Sequence, residues 1–193
     1  MKKFLPVLFF AALTVQNTVA QTKGKDYTVD ANGDVVVVKI VENLPLHKDD
    51  IYAASLKYLE EAYRDTKYKI VVNSQEKGTV AGEGEFLQFH DANYFPSSYF
   101  LNAPILLRVD AKDNRARISV TLSYYTGKRT NTNKTEDIHD RISEFYPVKE
   151  DETERRKLYG KAFPILYEKV QKVLGDVESS LTATRPSITD DNW

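Results

Sequence analysis

The chain contains no cysteine in 193 residues. That absence excludes disulfides, a thiol nucleophile, a cysteine-ligated metal and a lipid-modified amino-terminal cysteine, so stability has to come from packing alone. An excess of one charge sign is missing too. The 27 Lys and Arg stand against 28 Asp and Glu, a formal net charge of -1, which offers nothing to attract nucleic acid. No long apolar run follows the first twenty residues, and no repeat of solenoid or propeller length recurs. Hydrophobic residues make up 41% and charged residues 28% of the chain, ordinary usage for a folded globular protein.

The first feature that is present reads as an export signal. Lys2 and Lys3 precede an apolar stretch at 4–13, and Thr18 and Ala20 put small residues where a signal peptidase reads. The stretch is about half the roughly twenty residues needed to span a bilayer, so cleavage between Ala20 and Gln21 is expected, with no stable membrane insertion afterwards. The expected localisation is secreted or periplasmic. The remainder reads as a single α+β domain at 21–181 and a flexible polar tail at 182–193.

Residues 27–30 and 35–41 are short extended runs around Asn32-Gly33, a hairpin signal because both turn residues tolerate positive φ. Pro45 then breaks the chain, and Asp49 and Asp50 place acid at the positive end of a helix. Ile51, Ala54, Ser55, Tyr58, Leu59 and Ala62 recur at helical spacing, with Tyr52, Leu56 and Tyr63 widening the stripe. From Lys67 the period becomes two. Tyr68, Ile70 and Val72 are expected to point inward, Glu76 to Gly78 turn the chain, and a strand covers 79–89. An irregular segment at 90–103 follows. Ile105, Leu107, Val109 and Ala111 alternate with polar neighbours, Asp113 and Asn114 turn, and Ala116, Ile118, Val120, Leu122 and Tyr124 form a second half-buried strand. Residues 127–149 read mostly as loop. A last helix carries Phe163, Leu166, Tyr167, Val170, Leu174, Val177 and Leu181 on one face, with a kink or restart expected near Phe163 because Pro164 clashes with the carbonyl of Gly160. Two apolar helix stripes and one apolar face per strand place both helices on the same side of one antiparallel sheet.

The segments YTVDANGDVVVVKIV, LPLHKDDIYAASLKYL and VDAKDNRARISV resemble a domain-of-unknown-function family of secreted Bacteroidota proteins with a TBP-like fold. The resemblance covers residues 27–125 and reaches the last helix only in pattern. It implies a five-stranded antiparallel sheet, β-α-β-β-β-β-α, in the order 1-5-4-3-2, with both helices on one face. It implies no known activity and supplies no catalytic residues. The chain departs from the family's shape at 90–103.

By parity the open face of this sheet carries Lys39, Lys67, Lys69, Glu83, Glu85, Arg108, Asp110, Arg115 and Arg117. TBP bends DNA on the corresponding face, but mixed charge and an export signal argue against nucleic acid here, and fold does not carry function. Glu83 and Glu85 share that face, and the implied strand order puts Arg108 and then Arg115 or Arg117 beside them. This is either a charged cleft for a polar ligand or a solvated ladder of cross-strand pairs. Gly82 and Gly84 point the other way, where they let a helix approach. Asp30, Asn32 and Asp34 mimic a calcium loop but lack its glycine and closing glutamate. His47, His90 and His139 match no metal signature, and neither a metal nor a cofactor is expected. Tyr94, Phe95, Tyr99 and Phe100 lie within seven residues and either plug the core or present a sticky surface.

The resulting expectation is a non-enzymatic binding module with an unidentified protein or small polar ligand as partner. It recognises that partner through Glu83, Glu85, Arg108 and Arg117 on the open face or through Tyr94, Phe95, Tyr99 and Phe100. The alternative is a carrier holding a hydrophobic small molecule between the sheet and the last helix. An enzyme is the third reading, with Glu83 and Glu85 as its acid–base candidates.

Overall fold

The computed structural model describes residues 26–62, 69–145 and 153–186. The expected signal and its cleavage site, Tyr63, Lys67, Tyr68 and residues 187–193 of the expected tail lie outside the described residues.

The Asn-Gly turn forms as its chemistry requires. Asp30 accepts backbone N–H bonds from Asn32 and Asp34 at 2.8 and 2.9 Å, and Gly33 takes φ +80. It joins β1 (Thr28–Val29) to β2 (Val35–Glu42). Helix α1 (Lys48–Ala62) follows, buries Ile51, Tyr52, Ser55 and Leu59, and leads to β3 (Lys69–Ser74). Two 16-residue strands come next, β4 (Thr79–Tyr94) and β5 (Ser97–Lys112). Asp113 and Asn114 make the expected turn, with Asn114 at φ 62, into β6 (Arg115–Leu122). Then come β7 (Tyr124–Asn131), β8 (Lys134–Arg141), a 3-10 turn at Ile142–Glu144 and α2 (Thr153–Ala183).

The strands form one antiparallel sheet whose main path is β1-β2-β6-β5-β4-β3. Setting aside the two-residue β1, this is the expected order 1-5-4-3-2, and both helices cover one face. The described residues hold eight strands rather than five. The additions are β1 and the β7–β8 hairpin in the stretch expected to be loop. That hairpin pairs with the far end of β5, from Ser98↔Thr130 to Asn102↔Thr126. Its polar sequence hides it, because only one face of β7 meets the protein interior.

The sheet is therefore broad at both ends. Beneath the helices it reads β2-β6-β5-β4-β3, and beyond them β4, β5, β7 and β8 continue as an arm. Gly127 makes the arm possible: a Cβ there would lie 1.9 Å from the Phe100 carbonyl oxygen, and its φ is +140.

The core sits between sheet and helices. Val37, Leu107, Ile118 and Val120 from the sheet meet Leu59, Leu166, Val170 and Leu181 from the helices, each at most 1% exposed. Helix α2 runs as one element through Pro164 instead of restarting. The proline is exposed while Phe163 and Leu166 beside it are buried, so packing of the apolar stripe outweighs the roughly 3 kcal/mol a proline costs in a helix interior. Gly82 plays its expected part, with a would-be Cβ 3.3 Å from Leu59 Cδ2 of α1.

Three faces differ from expectation. Lys39 pairs across to Ile118 and points to the helix side, where it forms an ion pair with Glu178 of α2. A bulge between Ile70 and Val72 shifts the β3 register, turning Val72 outward at 36% exposure and giving Asn73 to the hydroxyl of Tyr52. At Ser123 the parity reverses, so Tyr125 is fully buried in place of Tyr124.

Candidate functional site

The four open-face candidates do not converge. Arg108 lies opposite Ala81 and turns along its own strand to Asp110, with Nη2 at 2.7 Å and Nε at 3.0 Å. Thr79 donates to the same carboxylate at 2.9 Å, and Arg117 lies opposite Asp110 on β6. Burial pushes the Asp110 carboxyl up, but hydrogen bonds from Arg108 and Thr79 and the charges of Arg108 and Arg117 outweigh it and hold the group below its ordinary value. Asp110, not either glutamate, is the hub of this face. Glu83 stands opposite Lys69 on one side and Leu106 on the other, and Glu85 accepts a hydrogen bond from Thr126 at 3.2 Å. Both glutamates are exposed. The expected Glu83–Arg108 ladder is absent among the described residues because the register places those residues diagonally and Arg108 has a nearer carboxylate.

The aromatic segment is not a long irregular connection. Residues 90–94 and 97–101 are the paired far ends of β4 and β5, and Phe95 and Pro96 alone make the turn. Three residues, Leu87 to Phe89, lie between the pairs Phe86↔Ala103 and His90↔Leu101 where β5 has only Asn102. This bulge breaks the alternation and disguises the strand. Alternation then divides the four aromatics. Tyr94 and Tyr99 face the helix side, half-buried and edge-on at 6.0 Å. Phe100 faces the other way at 43% exposure, and Phe95 at the tip is 99% exposed. Two of the four rings thus pack partly against the core and two stand exposed.

On the helix side the arm extends past the covering stretch of α2, and the uncovered floor is a groove of about 380 Å³. Its floor is Tyr99, Arg129 and Glu136, which are in register across β5, β7 and β8. Phe95 and Pro96 close the tip end, and Lys157 and Tyr159 of α2 close the other. The walls are held in place. Tyr94 donates to the Lys157 carbonyl at 3.0 Å, Tyr159 donates to Asp140, and Tyr159 stacks on Tyr125 at 4.5 Å. The Arg129 guanidinium lies 5.7 Å from the Tyr99 ring centre, and its Nε is 3.4 Å from the Ser97 hydroxyl. A hydrogen bond from Lys134 holds the Glu136 carboxyl below its ordinary range. Nearby, burial lowers the pKa of His90, Asp91 opposes the shift and Lys161 adds to it. The groove can offer a ligand a cation, carboxylates, hydroxyls and an apolar rim.

Sequence reasoning found Tyr94, Phe95 and Tyr99 but missed Arg129, Glu136, Asp140 and Tyr159. Arg129 and Glu136 fall in the stretch expected to be loop, where strand alternation between Tyr125 and Asp140 was the available signal. The Asp137-Ile138-His139-Asp140 run lies on β8, so alternation splits it, and His139 stacks on Tyr124 at 4.3 Å. Among the described residues no group of three or more His, Asp or Glu side chains is arranged to hold a metal, and no helix is long and apolar enough to cross a membrane.

No family model and no curated protein matches the sequence. Two solved structures do match the fold. A TBP-like protein from Parabacteroides distasonis superposes with a TM-score of 0.60 at 16% identity, over 81% of this chain and 97% of that one. A DUF4468 family protein from Bacteroides ovatus superposes with a TM-score of 0.55 at 19% identity, over 81% of this chain and 92% of that one. The likeness shows the TBP-like fold and agrees with the resemblance read from the sequence.

Proposed function

We propose that this chain is an exported, non-enzymatic recognition module that holds a polar ligand or a polar partner segment in the groove between the arm and α2. The observation that carries this reading is the groove itself, whose volume of about 380 Å³ lies within the range of small-molecule sites. Its polar groups are anchored by α2 and by cross-strand register, which favours recognition over chance exposure. The open face supports the reading less well, because Arg108 is committed to Asp110 and the glutamates lie apart from it. Its mixed charge also speaks against a phosphate backbone as partner. The carrier alternative is weaker, since Leu122, Leu166, Val170 and Val177 fill the layer between sheet and α2 with no exposure. The enzyme alternative has exposed glutamates on an open sheet where a cleft would be needed.

The test is a ¹⁵N-NMR screen of residues 21–193 against a library of polar fragments. The expected result is a set of hits whose shifts gather on Tyr94, Tyr99, Arg129 and Ile138, with affinity about tenfold lower in Arg129→Ala, a difference near 1.4 kcal/mol. A screen in which no fragment perturbs these amides, or in which hits gather elsewhere and ignore the substitution, overturns the assignment.

A further inference from the structure

The open face, set aside above as the lesser ligand site, has a charge pattern of its own. Across the sheet its side chains fall into rows by register. Glu42, Arg115 and Lys112 form one row. Ile40, Arg117, Asp110 and Thr79 form the next, followed by Val38, Ser119, Arg108 and Ala81, and then by Val36, Thr121, Leu106 and Glu83. Glu85 opposite Pro104 lies one row further. Arg108 and Asp110 neutralise each other in the middle. What remains is cationic at one end of the strands, where Arg115, Arg117 and Lys112 outnumber Glu42 and Arg117 shares Asp110 with Arg108. The other end is anionic, where Glu83 and Glu85 face only Lys69.

Two details make this more than a solvated surface. Lys112 lies directly opposite Arg115, a like-charge pairing that costs the sheet stability in isolation. Apolar side chains also stand exposed among the charges, Ile40 at 59% and Val38 and Val72 at 36% each. Arg115, Arg117 and Lys112 form no ion pair among the described residues.

We propose that this face is the interface of a homodimer, occupied by a second copy of the chain. A two-fold axis lying in the plane of this face, passing near Arg108 and inclined to the strands so that β6 of one copy crosses β4 of the other, sets the two sheets face to face. The Arg115, Arg117 and Lys112 end of each copy then lies over the Glu83 and Glu85 end of the other. Such an interface is isologous, so one self-complementary patch satisfies both partners, and Ile40 and Val38 are buried with the charges. Five strands spaced by about 4.8 Å and four rows spaced by about 6.8 Å give a contact of roughly 650 Å² per copy. The total is near the lower end of stable interfaces, which start at about 1,200 Å². The dimer is accordingly weak, with a micromolar dissociation constant, and sensitive to salt.

Sedimentation velocity on residues 21–193 tests this, with helical circular dichroism to confirm that every variant is folded. The wild type should dimerise in the micromolar range and weaken about tenfold between low salt and about 0.5 M NaCl. Arg115→Glu with Arg117→Glu should abolish the dimer, as should Glu83→Lys with Glu85→Lys, and an equimolar mixture of the two variants should recover it as a heterodimer. A wild type that stays monomeric at high concentration and low salt overturns the proposal. So does a dimer that both double variants retain, or a mixture that fails to associate. If the monomer instead binds a polyglutamate peptide through Arg115 and Arg117, the second copy is ruled out and the cationic end belongs to an acidic partner.

Discussion

The half of the sheet beneath the helices and the arm beyond them share two long strands, β4 and β5, yet they solve different problems. Beneath the helices, β5 and β6 alternate without interruption, so the inward residues from Ile105 to Ala111 and from Ala116 to Leu122 are buried on the helix side and their neighbours lie on the open face. In the arm, the bulge at 87–89 and the reversal at Ser123 break the alternation, and α2 covers only part of the inner face. The first half spends its inward surface on stability, while the second leaves part of it open as a groove. Regularity serves cohesion, and local irregularity makes room for a site.

Gly127→Ala breaks this division most directly. The added Cβ would meet the Phe100 carbonyl at 1.9 Å, and backbone cannot yield there without parting β5 from β7. A loss of about 3 kcal/mol is expected, as for other forbidden backbone positions. Hydrogen exchange locates it: amides of 98–102 and 126–130 should lose protection while those of β6 and α1 keep theirs. Equal loss in both halves means that arm and body are one cooperative unit, and the division above fails.

Asp110→Asn probes the other half through its charge. The Asp110 carboxyl is held below its ordinary value in the folded chain, so its contribution is present above the unfolded value near 3.9 and is lost as pH falls through the lower folded value. The pair with Arg108 is partly exposed and screened, and contributes about 0.5–1 kcal/mol. The variant should therefore unfold at lower urea than wild type at pH 7, and the gap should close as the pH falls below the lowered folded value. A gap that persists into acid means that Asp110 acts through packing and not through its charge.

The fold was largely legible and the site was only partly so, for the same physical reason. Where one face is dry and the other wet, polarity reports geometry, as in Ile105 to Ala111 or in the stripe from Phe163 to Leu181. Turns with a required backbone conformation were equally readable at Gly33 and at Asp113-Asn114. The β7–β8 hairpin is wet on much of both faces, so its alternation carries little polarity contrast, and Arg129 and Glu136 passed as loop. Bulges shift parity without leaving a marker in composition, and Val72 and Tyr124 were assigned to the wrong side. Lys39 was placed on the open face by parity, whereas it shares the helix side with Val37 and Val41, where Glu178 on α2 receives it.

The smallest effect on stability is the one that bears most on function. Phe95 is 99% exposed at the arm tip, so Phe95→Ala removes no buried area and should leave the urea midpoint within about 0.5 kcal/mol of wild type. A large apolar ring held at a turn has no folding role that offsets its exposure, and its position beside Pro96 at the mouth of the groove fits the proposed recognition role. Fragments found by the NMR screen should therefore bind Phe95→Ala several-fold more weakly while thermal melts of the two proteins overlay. Phe100→Ala is the control, since that ring faces away from the groove and its loss should leave fragment affinity unchanged. Equal weakening by both substitutions would mean that the arm as a whole, rather than its inner face, sets recognition.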